Sequence, residues 1–350
     1  MGWWFGCFKL RCRKSTSTVR PDQNKGKDVG VEGSVRKFRW EEIEVVTEDF
    51  SRVIGRGGFS NVYLANLSGS GQGQGAVKIH AGGDRLNQVF RQELDILLRL
   101  HHHNIVKLLG YCDDLEEGAM VFEYISNGNL QEKLHESEVL SWKTRTAIAF
   151  QLAQAIEYLH EKCTLQIVHG DIKPSNVLLD ENFNCKLCDF GSAKMGFSST
   201  VQSPSCSRTK QLMVGSPGYT DPHYMRTGLA CKKNDVYSLG VIMLELVTGM
   251  KAFCPERGQV LASIVAQDLR DIAIGEHGAE EKVAALVDPR LAGQFDLEEA
   301  TALLSIAALC LHHSFTVRPS ASQIIEIFRE KITSIHFLVS HDKNCGRNAA

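Results

Sequence analysis

The first third of the chain carries short β-type runs, and one helical pattern interrupts them. We predict strands at 61–65, 75–79, 106–111 and 119–123. The helix is predicted at about 87–100, where Phe90, Leu94, Leu97 and Leu98 recur at the i, i+4, i+7 and i+8 positions.

Helical patterns dominate after residue 125. Two stripes with helical spacing predict helices, one comprising Ile148, Leu152, Ile156 and Leu159 and the other Ile324, Ile325, Ile327 and Phe328. The stretch 236–247 is apolar on nearly every side, which is typical of a buried helix. A strand-rich part followed by a helical part predicts two lobes.

Four segments have a polar composition that does not predict packed structure. Residues 1–40 are rich in Lys, Arg, Ser, Thr and Gly after Phe8, and we expect a flexible basic arm. Residues 69–75 and 198–209 are predicted to be polar loops, and 338–350 a flexible tail.

Composition and charge narrow the class of protein. Apolar residues make up 43% and charged residues 23%, which excludes a disordered or collagen-like chain. No run of 18 apolar residues predicts a membrane-spanning helix, and the apolar residues 2–8 precede the positive charges, unlike a secretory signal. The net charge is −2, which argues against general nucleic-acid binding, but residues 1–40 carry +7 and the remainder −9.

The eleven cysteines are predicted to be free thiols in a reducing compartment, because their number is odd and their spacing irregular. Cys185 and Cys188 form a C-x-x-C motif, which suggests redox or zinc chemistry, but positions i and i+3 of a strand face opposite sides. The run His101–His103 suggests a metal site or, alternatively, a loop between a helix and a strand.

Two features of the strand-rich part are candidates for a functional role, and each also has a simpler structural interpretation. The glycine-rich run from Gly55 to Val62 could let the main chain approach an anion, or could be a hairpin turn. Lys78 stands in an apolar strand and Glu93 on the apolar side of the predicted helix, so each needs a partner. They could pair with each other, or be two unrelated surface charges.

The segment 167–179, IVHGDIKPSNVLL, is followed by Asp189-Phe190-Gly191 thirteen residues after Asn176. Together with the glycine run, the strand lysine and the helix glutamate, these motifs occur in the order and at the spacing found in one known enzyme family. The chain therefore resembles the eukaryotic protein kinases from about Phe50 to about Phe337.

Finer features resemble plant receptor-like kinases. They are Glu41, Glu42 and Phe50 before the glycine run, HNIVKLLGYC at 103–112, VFEYISNGNL at 121–130, DVYSLGVIMLELVTG at 235–249 and Arg318-Pro319-Ser320. Without a predicted membrane span or ectodomain, the chain is most similar to a receptor-like cytoplasmic kinase.

The resemblance implies an α+β, two-lobed protein-kinase fold over 50–337. An N-lobe at about 50–124 would hold a small antiparallel sheet with one key helix, and a mainly helical C-lobe would follow at about 125–337.

The resemblance also implies ATP as the phosphate donor and Mg²⁺ (or Mn²⁺) as the metal, and it assigns residue roles. Lys78 would hold the α- and β-phosphates and pair with Glu93. Asp171 would accept or orient the proton of the substrate hydroxyl. Lys173, typical of serine/threonine-directed members, would lie beside the γ-phosphate. Asn176 and Asp189 would bind the metal.

Further roles concern the nucleotide and the interior. The other implied ATP-binding residues are Gly55, Arg56, Gly57, Gly58, Phe59, Ser60, Val62, Ala76, Glu123, Ile125 and Leu178. Phe122 would be the gatekeeper residue, and His169 and Phe190 would stack in the internal spine.

Three positions depart from the family pattern. Gly170 replaces an arginine that pairs with a phosphate on the activation loop, a contact of very roughly 1.5–3 kcal/mol. We therefore expect a non-RD kinase whose activity depends less on loop phosphorylation. His223 replaces a glutamate whose partner would be Arg318, so we expect a looser substrate-binding segment unless another carboxylate compensates. Ser60 replaces the third glycine, and we expect tolerance there.

The arm and the second polar loop carry candidate modification sites. Gly2 begins an incomplete N-myristoylation motif, and Cys7 and Cys12 are palmitoylation candidates among basic residues, although a solvated tail is the alternative. We expect attachment to the cytoplasmic face of the plasma membrane, or a cytoplasmic protein if the arm is unmodified. The candidate phosphorylation sites are Ser198, Ser199, Thr200, Ser203, Ser205, Ser207 and Thr209.

The predicted function is transfer of the γ-phosphate of ATP to serine or threonine hydroxyls of proteins, in membrane-proximal signalling. The implied partners are a protein substrate, an upstream receptor kinase and a membrane surface, with no nucleic acid. One alternative is a pseudokinase scaffold that binds nucleotide but signals by protein interaction. A second is an enzyme of the same fold that phosphorylates small molecules.

Overall fold

The structure is a computed structural model that describes residues 35–57, 60–68, 73–80, 84–114, 118–136, 139–196, 200–201, 215–336 and 338. The expected acylation sites in the arm and nearly all of the expected tail lie outside these residues. Within the described ranges, no helix has the length and apolar composition needed to cross a bilayer.

One six-stranded sheet forms the N-terminal lobe. Its strands are β1 (Arg36–Lys37), β2 (Val53–Arg56), β3 (Ser60–Asn66), β4 (Gln74–His80), β5 (Leu108–Cys112) and β6 (Gly118–Glu123). The order across the sheet is β1-β5-β6-β4-β3-β2, and all neighbours are antiparallel except β1 and β5. The four predicted strands correspond to β3–β6. Strand β5 begins two residues late because the Val106 N–H instead donates to the Leu187 carbonyl.

The residues just before this sheet belong to the folded unit. Helix α1 (Trp40–Val46) follows β1, and the side chains of Phe38 and Ile43 are buried. A Cβ on Gly110 would lie only 2.3 Å from the Phe38 ring, so the close packing of β1 on β5 requires glycine there. The predicted arm of residues 1–40 therefore extends too far, because residues 35–40 are packed on the sheet.

Helix α2 (Asp84–Leu97) packs beside the sheet and corresponds to the predicted helix, shifted by three residues. Phe90, Leu94 and Leu97 are buried, as the stripe predicts, whereas Leu98 is 39% exposed. The prediction that Leu98 belongs to the buried stripe is wrong, because the helix ends at Leu97.

Helices dominate the C-terminal lobe. They are α3 (Leu130–His135), α4 (Trp142–Glu157), α5 (Pro222–Thr227), α6 (Lys232–Thr248), α7 (Leu261–Ile264), α8 (Ala266–Ala273), α9 (Ala279–Leu286), α10 (Leu297–Cys310) and α11 (Ala321–Lys331). Helix α6 is buried from Asn234 to Thr248 and packs against α4 and α10, which confirms the predicted buried helix.

Short strand pairs complete this lobe and shape the loops near the sheet. They are β7 (Gln166–Val168) with β10 (Lys194–Gly196), β8 (Val177–Leu179) with β9 (Cys185–Leu187), β11 (Thr200–Val201) with β12 (Ala230–Cys231), and β13 (Phe253–Cys254) with β14 (Gln259–Val260). The molecule thus has the predicted α+β, two-lobed fold.

The histidine and cysteine motifs have structural positions. His101–His103 lie in the loop between α2 and β5. Cys185 and Cys188 are free thiols, in β9 and just after it. Across the described residues, no three His, Cys, Asp or Glu side chains form a group that could hold a metal ion.

Candidate active site

Lys78 is the charged centre of the cleft between the lobes. It stands on β4, and its Nζ lies 2.8 Å from Glu93 Oε1 on α2 and 2.8 Å from Asp189 Oδ1. Burial alone would lower the pKa of Lys78, but the attraction of the two carboxylates outweighs it and raises that pKa. Lys78 is therefore a permanent cation in contact with both lobes, and Lys78 and Glu93 form an ion pair rather than two unrelated surface charges.

The segment after β9 holds Asp189 close to Lys78. Asp189 adopts a left-handed conformation with φ 63°, and the Phe190 N–H donates to the Glu93 carboxylate. The Lys78 charge lowers the pKa of Asp189 against the effect of burial. The Gln92 side chain donates to the Ala193 carbonyl at 2.6 Å, so α2 is tied to this segment at two points.

His169 and Phe190 contact each other as expected, with ring centroids 4.8 Å apart in an edge-to-face arrangement. His169 is fully buried, and its Nδ1 lies 3.3 Å from the Asp171 N–H while its Nε2 lies 3.1 Å from the Cys188 carbonyl. Because a carbonyl only accepts, the proton of a neutral His169 is on Nε2. The imidazole thus links the loop of Asp171 to the residue before Asp189.

Asp171 carries the second polar cluster of the cleft. Its Oδ2 accepts from Lys173 Nζ at 2.8 Å, and its Oδ1 accepts from the Ser216 hydroxyl at 2.9 Å. Lys173 Nζ also donates to Ser216 Oγ at 2.9 Å. Ser216 was not among the predicted site residues, yet it contacts both charged groups. It comes from the segment before α5, which therefore meets the loop of Asp171.

Asn176 is oriented by the same loop. Its Nδ2 donates to the Asp171 carbonyl at 2.8 Å, so its amide oxygen is not used by this bond and can act as an acceptor or a ligand. The Cys188 N–H donates to the Asn176 carbonyl at 2.9 Å, so Asn176 lies next to the residue that precedes Asp189. One amide oxygen and one carboxylate are hard donors that suit Mg²⁺, which keeps waters and phosphate oxygens as its other ligands.

Asp235, at the start of α6, fixes the main chain of the loop from beneath. It is 1% exposed, and it accepts from the His169 N–H at 2.8 Å, the Gly170 N–H at 2.9 Å and His160 Nε2 at 2.8 Å. Burial alone would raise the pKa of Asp235, but the hydrogen bonds that it accepts from His160 and from the Gly170 N–H contribute to lowering it. Gly170 has φ +79°, a conformation that costs most side chains energy.

The glycine run forms the hairpin between β2 and β3. Gly55 pairs with Val62 and Arg56 with Asn61, and the Gly57 N–H donates to the Ser60 carbonyl at 2.7 Å. The run is therefore a hairpin turn at the edge of the sheet. This geometry does not test whether the run binds phosphate. Gly58 and Phe59 lie outside the described residues.

The residues expected around adenine come from both lobes. Ala76 on β4 is paired with Phe122 on β6, and Leu178 lies on β8 in the helical lobe. The Glu123 N–H donates to the Lys107 carbonyl, and its carboxylate accepts from Lys186 Nζ at 2.7 Å. The Glu123 side chain is thus engaged within the protein, and Ile125 follows β6 two residues later.

Known proteins share this sequence over most of its length. Residues 49–327 match the family described as "Protein kinase domain". A probable receptor-like protein kinase of Arabidopsis thaliana is 54% identical over 315 residues, covering 88% of this chain and 90% of that protein. Salt tolerance receptor-like cytoplasmic kinase 1 of Oryza sativa subsp. japonica is 50% identical over 310 residues, covering 86% and 82%.

The chain belongs to the protein kinase family. A probable LRR receptor-like serine/threonine-protein kinase of Arabidopsis thaliana is also 34% identical over 314 residues, which is 88% of this chain but 34% of that larger protein. The predicted resemblance to plant receptor-like kinases is therefore confirmed.

Two of the sequence-based expectations can be compared with this structure. The alternative that another carboxylate compensates for His223 agrees with it, because Asp221 forms a bidentate ion pair with Arg318 at 2.6 and 2.9 Å. Of the candidate phosphorylation sites, Thr200 lies in β11, and the other six lie outside the described residues.

Proposed function

We propose that this chain is an active kinase that transfers the γ-phosphate of ATP to serine or threonine hydroxyls of proteins. Its family and its relatives make it a serine/threonine-protein kinase that uses ATP and a divalent metal. The observation that carries the proposal of activity is the contact of Lys78 with both Glu93 and Asp189 at 2.8 Å. The cation that would hold the phosphates is already placed between the lobes.

Asp171 is the residue proposed to receive the substrate hydroxyl. Its carboxylate is held by Lys173 and Ser216, which fix both oxygens. An acceptor hydroxyl that hydrogen-bonds to Asp171 would have its oxygen aimed at the phosphate, with its proton passing to the carboxylate. Lys173, already in contact with Asp171, would stabilise negative charge on the transferred group.

Asn176 and Asp189 are proposed to hold the metal. A Mg²⁺ ion held by these two residues would supply positive charge that offsets the negative charge of the ATP phosphates. The Asn176 amide is held by Asp171 for this role, and Asp189 would exchange part of its contact with Lys78 for the metal.

The nucleotide is proposed to lie between the sheet and β8. Val62, Ala76 and Leu178 would enclose the adenine, and the main chain at Glu123 and Ile125 would bind its edge. Phe122 would limit the depth of the pocket, since it packs against the large hydrophobic core. Gly55, Arg56, Gly57 and Ser60, with Gly58 and Phe59, would cover the phosphates.

Gly170 supports a non-RD mode of regulation. It has no side chain that could bind a phosphate on the loop. Its main-chain N–H donates to Asp235. We therefore propose that activity depends weakly on phosphorylation of the loop. Replacing all seven candidate serines and threonines by alanine should leave substantial activity, and complete loss of activity would contradict this.

Membrane-proximal signalling is proposed from the basic arm. An acyl chain on Gly2, Cys7 or Cys12 together with the basic residues would give the two attachments that lasting binding requires. An upstream receptor kinase is a fitting partner at that surface. A Cys7/Cys12 double alanine variant that still sediments with membranes would contradict the palmitoylation proposal.

The decisive test of activity is phosphate transfer from ATP and Mg²⁺ to a basic protein acceptor. We expect transfer by the wild type and loss of transfer by Asp171→Asn, with ATP binding retained. Asp95→Asn, at an exposed position of α2, serves as the matched control and should behave like the wild type. No transfer by the wild type while ATP still binds would favour the pseudokinase scaffold. Label appearing on metabolites rather than on protein would favour the small-molecule enzyme.

A further inference from the structure

Arg318 of the helical lobe is a buried cation that needs a carboxylate. It is 2% exposed, and leaving such a charge unpaired is strongly destabilising. The family residue expected to meet it is a glutamate at the position of His223. In this chain Nη1 and Nη2 of Arg318 donate instead to the two carboxylate oxygens of Asp221, two residues earlier.

The Asp221 carboxylate has two further hydrogen bonds. Its Oδ1 accepts from the His223 N–H at 2.9 Å, which caps the start of α5. Its Oδ2 accepts from the Asn234 side chain at 2.7 Å, at the start of α6. Asp221 is 1% exposed, so all of these bonds form away from water.

His223 has an aromatic contact in place of an ionic one. Its ring centroid lies 4.0 Å from that of Phe315 at an interplanar angle of 30°. Its Nδ1 is buried, and no hydrogen-bond partner for it is present among the described residues. The two roles of the expected glutamate, packing and charge, are therefore divided between His223 and Asp221.

The anchor segment, defined as residues 215–224, reaches from this ion pair to the catalytic carboxylate. At one end Asp221 is held by Arg318, and at the other the Ser216 hydroxyl donates to Asp171. Between them the Tyr219 carbonyl accepts from Ser238 Oγ at 2.9 Å. Only four residues lie between Ser216 and Asp221, so displacement of one end shifts the other.

We propose that Asp221 is a positioning residue that, through Arg318, holds the anchor segment so that Ser216 meets Asp171 and Lys173. This inference rests on the proposed function for its effect on turnover. The ion pair with Arg318 that holds the anchor segment is thus assigned to Asp221. His223 is assigned only the packing contact with Phe315.

The test compares variants that separate charge from packing. Asp221→Asn removes the charge, while asparagine still caps α5. His223→Phe keeps an aromatic ring on Phe315. Asp296→Asn is the matched control, because Asp296 caps α10 through the Glu299 N–H at an exposed site.

Steady-state kinetics with a basic protein acceptor are the first measurement. We expect Asp221→Asn to lower kcat/KM for the acceptor by about tenfold or more, since misplacement of a catalytic contact is costly, with KM for ATP unchanged. His223→Phe and the Asp296→Asn control should match the wild type. Wild-type kcat/KM in Asp221→Asn, or an equal loss in His223→Phe, would overturn the proposal.

Hydrogen exchange of the anchor segment is the second measurement, and it needs no ATP. Protection at 216–220 should fall in Asp221→Asn alone, and unchanged protection would overturn the proposal. If the wild type transfers no phosphate, the proposed function fails while this measurement still tests the anchor. Should Asp221→Asn not fold, Arg318→Gln takes its place because it removes the positive charge, and full protection in that variant would refute the anchor.

His223→Glu gives an independent outcome. Because Arg318 is already paired, restoring the family glutamate should not raise Tm. An increase in Tm would show that Arg318 lacks a sufficient partner, and would count against the assignment of Asp221.

Discussion

Asp288 lies in the interior of the helical lobe between two arginines, and its replacement by asparagine should destabilise the protein. It is 3% exposed, its Oδ2 accepts from Arg145 Nη2 at 2.7 Å, and Arg290 donates to both of its oxygens. Arg145 is fully buried and also donates to the carbonyls of Leu140 and Leu246. The pair therefore connects the start of α4 to the end of α6.

The size of the expected loss of stability follows from the pKa shift of Asp288 and from the charge that its removal leaves unpaired. Burial alone would raise the pKa of Asp288, but hydrogen bonds from Arg290 and Arg145 lower it from 3.8 to about 2. That shift corresponds to about 2 kcal/mol of stability for the ionised form. Leaving Arg145 buried without its partner typically costs about 3–5 kcal/mol. We expect Asp288→Asn to lose about 2–4 kcal/mol, or about 2–4 °C of Tm for each kcal/mol.

The stabilising contribution of Asp288 should decrease as the pH falls. The folded pKa of Asp288 is depressed, so its contribution is present above pH 4 and is lost as the pH falls toward 2. The assay is thermal unfolding of wild type and variant from pH 7 to pH 3, where the gap in Tm should narrow. Asp95→Asn, whose exposed ion pair with Arg99 contributes little, should change stability by less than about 0.5 kcal/mol. A loss in Asp288→Asn no larger than that of Asp95→Asn at pH 7 would refute the reasoning.

Two further substitutions and one labelling experiment test single positions. Gly170→Ala should cost about 1 kcal/mol in thermal unfolding, because φ is +79° and the new Cβ would lie 3.2 Å from the Ser192 carbonyl oxygen; an unchanged Tm would contradict this. Glu48→Asn should add about 0.5 kcal/mol to stability, since Glu48 has φ 51° and asparagine adopts that conformation more readily; a lower Tm would contradict it. Burial raises the pKa of the Cys310 thiol to about 12, so a maleimide should label the half-buried Cys254 in the native protein and Cys310 only after unfolding; rapid native labelling of Cys310 would be the contrary result.

Local sequence patterns were sufficient for most elements near the site. The strands β3–β6, the helix α2 and the buried helix α6 follow from periodicity, since each buries a face or all of its surface. For Lys78 and Glu93 the residue pattern left two alternatives, a pair or two unrelated surface charges, and the resemblance to protein kinases favoured the pair that the structure shows. The boundary at residue 40 was wrong, since Phe38 lies among Arg36, Lys37 and Arg39 and the two-residue strand β1 is too short to show a period.

The tertiary hydrogen bonds of the site could not be predicted in the same way. Ser216 is 45 residues from Asp171, Asp221 is 97 from Arg318, and their local sequence shows only a small polar residue and a helix cap. An aspartate before proline indicates the start of a helix, and Asp221 does cap α5. Its ion pair with Arg318, however, depends on how the chain folds 97 residues later. Each partner is fixed by packing of distant helices, for which one sequence contains no local signal.

Three buried aspartates of the helical lobe share one chemical arrangement. Asp221, Asp235 and Asp288 are each at most 3% exposed, and each has a depressed pKa because hydrogen-bond donors and positive charge outweigh burial. Asp235 holds the main chain of the catalytic loop, and Asp221 holds the anchor segment. Loops have few main-chain partners of their own, so a buried carboxylate supplies acceptors that secondary structure cannot. Since protonation removes the charge of these carboxylates, acid should weaken both the loop contacts and the stability of the lobe.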